Sequence, residues 1–186
     1  MYTIFPEGPQ HGPAIDALHD FCFGPGRFAR TAYRIREGAA DAPELSFVAC
    51  DGEGRLLGSI RYTPILIGET PALMLGPLAV DSTLRGKGVG LELMQVSLQR
   101  ALSLGHRLVI LIGDEPYYAR VGFARVPDGR LSLPGPYDPN RLLYKELAPL
   151  AFEGVSGDLI GRPADGGWSD ADTAMPPVRT AGTHGY

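Results

Sequence analysis

Apolar and polar positions along the chain follow two periods, and the switch between them marks the elements. Leu108-Val109-Ile110-Leu111-Ile112 is an unbroken apolar run of strand length, the pattern of a strand covered on both faces. Upstream of it, Leu91, Met94, Leu98, Ala101 and Leu102 recur at helical spacing, with Gln95, Gln99 and Arg100 suited to a solvent face. Gly105 follows as a C-cap. Earlier still, Leu75-Gly76-Pro77-Leu78-Ala79-Val80 reads as a strand. Strand, helix and strand make a βαβ unit, so the two strands should be parallel.

The rest of the chain supplies further short elements. Thr3-Ile4-Phe5 is a first strand. Residues 13–23 predict a helix with Ile15, Leu18 and Cys22 on one face, stopped by Gly24-Pro25-Gly26. A second helix is expected from about Arg27 to Glu37, with Phe28, Ala32 and Ile35 in register. Strands at 46–50 and 56–62 flank Asp51-Gly52-Glu53-Gly54, a hairpin signal. Gly68-Glu69-Thr70-Pro71 turns the chain into the strand that ends at Val80. Asp114 and Pro116 open a short helix that Gly122 closes, and strands follow at 123–126 and 142–147. The class is α/β (α+β), in one domain over 1–148. A tail over 149–186, rich in Gly, Pro, Asp and Ser, is partly docked or disordered: Leu159, Ile160 and Trp168 could dock, and 170–186 carries the composition of a loose terminus.

Between the strand ending at Val80 and its helix lies Arg85-Gly86-Lys87-Gly88-Val89-Gly90. The first turn of a helix leaves backbone N–H groups without intrahelical partners, and their dipoles add to a partial positive charge. Glycines let an anion approach those amides closely, and Arg85 and Lys87 add full charge. A phosphate or pyrophosphate suits such a place. The pattern is not a P-loop, because Lys87 stands between glycines with no hydroxyl after it. It is not the dinucleotide fingerprint either, since glycine falls at every second position.

What fits is R-x-x-G-x-G, with Arg85, Gly88 and Gly90 in register. This resembles the coenzyme A pyrophosphate loop of the GNAT superfamily of N-acetyltransferases. Downstream, Tyr118, Gly122 and Phe123 match the family's Y-x-x-x-G-F. Gly113-Asp114, Tyr117-Tyr118, Arg120 and Gly122-Phe123 resemble a bacterial subgroup with a GDxxYYxRxGF signature. The likeness runs over about residues 2 to 147 and is most specific over 75–126. It implies the GNAT acyl-CoA N-acyltransferase fold: a mixed, mostly antiparallel twisted sheet flanked by helices, with the parallel βαβ unit splayed to hold coenzyme A.

The resemblance also implies the chemistry. Acetyl-CoA would be cosubstrate, with no metal, and an acetyl group would pass directly to a primary amine in a ternary complex. Tyr118 would protonate the departing thiolate; a phenol has the proton to give, at an ordinary pKa of ~10. The backbone of Leu78, Ala79 and Val80 would hold the pantetheine as an added strand does. Arg85, Gly86, Lys87, Gly88, Val89 and Gly90 would hold the pyrophosphate. Many family members place an asparagine after the buried strand for the pantetheine; here Asp114 stands nearby and the single asparagine, Asn140, is far off. The acceptor class is a small-molecule or peptide amine, and a homodimer is left open. The alternative is a non-catalytic acyl-CoA sensor or partner module.

Charge and composition narrow the setting. A net charge of −4 disfavours a generic nucleic-acid partner and mildly favours a cationic acceptor. No apolar run reaches membrane-spanning length, and two cysteines make no disulfide framework, so a reduced cytoplasm is the default. The four histidines are scattered, without metal-site spacing. Arg27, Arg30 and Arg34 lie near one helical face and are read either as a solvated surface or as a basic wall at the acceptor site. Glu69, Asp81, Asp114 and Glu115 are candidate bases by position only, and none is assigned.

Overall fold

The structure is a computed structural model that describes residues 1–163. Trp168 and the 170–186 stretch lie outside the described residues. Among the described residues, four α-helices and nine strands form. In order they are β1 (Tyr2–Pro6), α1 (Gly12–Phe23), α2 (Thr31–Arg36), β2 (Phe47–Asp51), β3 (Leu56–Ile67) and β4 (Thr70–Val80). Then come α3 (Val89–Ser103), β5 (Leu108–Ile112), α4 (Glu115–Tyr118), β6 (Ala124–Arg125), β7 (Leu131–Ser132), β8 (Leu142–Glu146) and β9 (Gly157–Gly161).

The main sheet runs β1-β2-β3-β4-β5-β8-β6. Every pair along it is antiparallel except β4 and β5, which are parallel across α3 as the βαβ pattern predicts. Alternation sorts β5 onto two cores. Val109 and Leu111 face α3, packing with Leu93, Met94 and Leu98; Leu108 and Ile110 face Ile35 of α2, Phe152 and Val155. Each of these four β5 side chains is at most 1% exposed, and burial of such residues stabilises by about 1.5–3 kcal/mol apiece. On α3, Ser97 meets the buried Tyr62 hydroxyl at 2.9 Å and gives its own proton to the Leu93 carbonyl at 2.8 Å, so this polar pair is satisfied inside the core.

The β4–β5 ladder is short. It holds at Leu73–Val109 and Met74–Ile110, and beyond Met74 the strands part. β5 stays with β8 as far as Ile112–Leu142, while β4 stays with β3 as far as Val80–Gly58. A bulge lies at the parting: Gly76 and Pro77 together oppose Arg61 of β3, between the pairs Tyr62–Leu75 and Ile60–Leu78. Gly76 takes φ +120 there, a conformation suited to glycine.

One expectation changes. The helix expected from Arg27 to Glu37 is broken: residues 25–29 form a 3-10 turn, Arg30 is extended at ψ 144, and α2 starts at Thr31. The break is fixed by the Thr31 hydroxyl, which donates to the Pro136 carbonyl at 2.5 Å, and by Arg27, which is buried and paired with Asp20 of α1. The three arginines therefore share no face. The chain after 148 docks over its described part, with Leu159 among the residues that do so. Phe152, Val155 and Leu159 enter the core, and β9 pairs with β3 at 65–67 and with β7 at 131–132.

A cleft pair at the parting of two strands

The sequence builds the site at the open end of the sheet. In an antiparallel ladder, successive residues turn their backbone groups alternately toward and away from the partner. Asp81 N–H donates to the Leu57 carbonyl at 2.8 Å, which sets the phase. Ala79, opposite Ser59, then faces β3, while Leu78 and Val80 turn their amides and carbonyls toward the gap where β5 has left. The Val80 carbonyl accepts from Cys22 Sγ at 3.5 Å. Of the three strand residues expected to hold a ligand through backbone, Leu78 and Val80 face the gap and Ala79 belongs to the ladder.

Next to the gap, the glycine loop feeds α3. Gly86 and Gly88 take φ +79 and +87, and a Cβ on either would meet nothing within 4 Å. Gly88 stands at the N-cap, and the first helical hydrogen bond runs from Glu92 N–H to its carbonyl at 3.0 Å. The amides of Gly88, Val89, Gly90 and Leu91 precede that bond and donate to no carbonyl of the described residues. The Val89 side chain is buried in the core, so only its backbone addresses the loop. Gly90 differs from its neighbours: a Cβ there would come 2.3 Å from the Tyr117 hydroxyl. Its missing side chain makes room for a tyrosine, not for an anion.

These parts line a cleft of about 590 Å³ that includes Leu78, Val80, Arg85, Gly86, Gly88 and Gly90. Tyr117, Arg120 and Asp114 close its other side. Arg85 lines it, whereas Lys87 is exposed outside the lining. A second cleft, of about 330 Å³, lies against the bulge and is lined by α2 with Tyr33 and Arg36, by Leu75 to Leu78, and by Tyr137 and Arg141. Leu78 and Tyr118 alone belong to both.

Tyr118 therefore stands at the junction. Its ring is held edge-on by Tyr117 at 5.1 Å and by Phe123 at 6.0 Å between centroids. Gly113 allows this: a Cβ there would lie 2.2 Å from Tyr118 Cε2. Burial pushes the phenol up to about 12, helped by Tyr117 and Asp114, while Arg141 and Arg36 pull it down. Asp114 is the N-cap residue of α4, yet its carboxylate pairs with Arg141 at 3.2 Å instead of capping. Of the candidate bases, Asp81 and Asp114 line the larger cleft, and the Asp81 carboxylate accepts from Thr83 N–H at 2.9 Å.

The structure brings the glycine loop, Leu78, Val80 and Tyr118, all marked in the sequence, to one pair of clefts. Arg36, Tyr33 and Arg141 join them in the smaller cleft without any signal in the sequence, because their places depend on where α2 and the 136–141 segment cross the sheet. Among the described residues, no group of three or more His, Cys, Asp or Glu side chains could hold a metal ion. None of their helices is long and apolar enough to cross a membrane.

A parallel pair that opens beside a glycine-led helix is the architecture of an acyl-CoA-dependent transferase. The sequence model of the Acetyltransferase (GNAT) family matches residues 13–125, and the chain belongs to that family. It is 30% identical over 153 residues to the uncharacterized N-acetyltransferase YhbS of Escherichia coli K12, covering 81% of this chain and 90% of that one. A crystal structure of Escherichia coli YhbS in complex with CoA superposes with a TM-score of 0.74 at 28% identity, covering 87% of this chain and 89% of that one. A GNAT family acetyltransferase from Brucella melitensis, in complex with acetyl-CoA, gives 0.65 at 25% identity, covering 89% and 98%.

Proposed function

We propose that the protein moves the acetyl group of acetyl-CoA to a primary amine by direct attack within a ternary complex. The observation that carries this reading is the meeting of the two clefts at Leu78 and Tyr118. One cleft has what a long anionic thioester needs, and the other admits a small second molecule.

The loop amides from Gly88 to Leu91, with Gly86, Lys87 and Arg85, take the pyrophosphate. The outward backbone of Leu78 and Val80 pairs with the pantetheine amides as a missing strand would. The thioester then lies at Leu78, whose N–H polarises the carbonyl and meets the negative charge that develops on its oxygen. A neutral amine entering from the smaller cleft forms the new C–N bond as the C–S bond breaks. Its proton leaves through water: none of Glu69, Asp81, Asp114 or Glu115 lines that cleft, and Asp138, which does, accepts from Asn140. Tyr118 donates its phenolic proton to the departing sulfur. A cytoplasmic setting, where acetyl-CoA is made and used, suits the reaction.

Calorimetric titration with acetyl-CoA tests the first step, beside Gly88→Trp. At φ +87, with open space above it, Gly88 accepts a large side chain only by filling the cleft. Saturable binding by the unaltered protein and none by the variant is the expected result. No binding by the folded, unaltered protein overturns the reading.

A further inference from the structure

Arg36 stands inside the smaller cleft without an anionic partner, and that is unusual for an arginine in such a place. It closes α2, and its guanidinium lies 5.2 Å from the Tyr33 ring. It reaches the sheet over Gly76. A Cβ on Gly76 would come 2.9 Å from Arg36 Nη2 and 3.7 Å from the Leu78 amide nitrogen. One glycine thus brings the guanidinium beside the amide that faces the reacting thioester.

No carboxylate among the described residues lies within ion-pair distance of it. Arg36 Nε is shut off from solvent with no hydrogen-bond partner, which leaves the two terminal nitrogens as the groups that can meet a ligand in the cleft. A buried guanidinium with no anion beside it carries a desolvation cost that an anionic ligand in the cleft would offset. The acids nearby are committed elsewhere. Asp114 holds Arg141 at 3.2 Å, and Asp138 accepts from Asn140 N–H at 2.9 Å and from its side-chain amide at 3.1 Å. Burial lowers the guanidinium only to about 10, so it is charged at neutral pH. The cleft lining carries Arg30, Arg36 and Arg141 against Asp138. The local sign is positive, opposite to the chain's net −4, and it reverses the expectation of a cationic acceptor drawn from bulk charge.

We infer that the acceptor is an amine bearing a carboxylate, received by the Arg36 guanidinium with the amine presented at Leu78 and Tyr118. A guanidinium fork matches a carboxylate with two parallel hydrogen bonds. The guanidinium and the Leu78 amide stand over the same glycine, so few atoms separate carboxylate from amine. A free amino acid has that spacing, and about 330 Å³ suits a ligand of that size up to a dipeptide. The inference rests on the acetyl transfer proposed above.

The test is steady-state thiol release at saturating acetyl-CoA. The probes are free amino acids, the same compounds as carboxamides, simple alkylamines and O-phosphoethanolamine. Acids should exceed their carboxamides at least tenfold in kcat/KM. Arg36→Gln should erase that preference by raising KM for the acids, with the carboxamide rates and the calorimetric affinity for acetyl-CoA kept; Arg36→Lys should restore part of it. Carboxamides or alkylamines used as well as acids, or O-phosphoethanolamine preferred over all, overturn the inference and leave the transferase reading standing. Equal losses for acids and carboxamides in Arg36→Gln also overturn it. No acetylation of any amine, with or without a carboxylate, brings down the transferase reading itself. Should Arg36→Gln fail to fold, the acid-to-carboxamide ratio of the unaltered protein decides alone.

Discussion

Replacing Tyr118 by phenylalanine removes one oxygen from the junction of the two clefts, and the structure says what that oxygen is worth. Its hydroxyl donates to no acceptor among the described residues, and its ring is held by Tyr117, Phe123 and the space above Gly113. Phenylalanine keeps the ring and loses no hydrogen bond, so folding stability should change by less than about 0.5 kcal/mol. The catalytic loss follows from acidity. A phenol at about 12 lies above an ordinary thiol at ~8.5, so complete proton transfer to the thiolate is uphill. What the phenol gives at first is a hydrogen bond to a developing anion, worth about 1.5–3 kcal/mol. At ~1.4 kcal/mol per tenfold, kcat should fall by roughly 10- to 140-fold. The assay is thiol release under saturating acetyl-CoA, with calorimetry and thermal melting alongside. The same acidity predicts no alkaline decline in the parent rate up to about pH 10, because the phenol keeps its proton. A loss below threefold refutes the reasoning, and so does a loss that tracks a lowered melting temperature.

Two more outcomes are expected. Gly113→Ala places a Cβ 2.2 Å from Tyr118 Cε2, so the ring must swing away; kcat should fall at least tenfold with acetyl-CoA affinity kept, and unchanged kcat would show that the ring position is not critical. His19 and His106 are both lowered from an ordinary 6.5 to about 4, chiefly by burial, with Arg61 and Arg27 adding to the effect at His19. Between those values the unfolded chain binds more protons than the folded one, so stability is fully present above pH 6.5 and falls as pH drops toward 4, by up to about 3 kcal/mol per histidine. Urea midpoints across that window should show the loss, and His19→Gln should flatten it.

The βαβ unit, the glycine loop and the Tyr-Tyr segment were legible because each is a local pattern whose meaning needs no distant partner. The mostly antiparallel sheet matched what the family resemblance implied, and the parallel β4–β5 pair what the βαβ pattern predicted; β7 and β9 add a second parallel pair. The break at Arg30 was not legible, since it depends on Thr31 meeting Pro136 from across the fold. β9 escaped because Gly157-Asp158-Leu159-Ile160-Gly161 has two apolar residues between glycines, and only the waiting edge of β3 makes it a strand. Which backbone groups of β4 face the gap needed the register of the ladder, which keeps Leu78 and Val80 at the gap and gives Ala79 to β3. Arg36 looked like any helix-end arginine, and Gly76 like any strand glycine, until the fold stacked one upon the other.

β3 borrows the same edge to two partners, β2 along 56–60 and β9 along 65–67. Synthesis runs from the N-terminus, so the second half of that edge stays bare while the loop, the βαβ unit and the tyrosines are made. Ile65 and Ile67 wait beside an open row of amides, the kind of template on which chains join one another. The machinery of transfer is thus assembled before the segment that seals the sheet. Any truncation, fusion joint or cleavage upstream of Gly157 should then appear first as self-association, ahead of any loss of the chemistry.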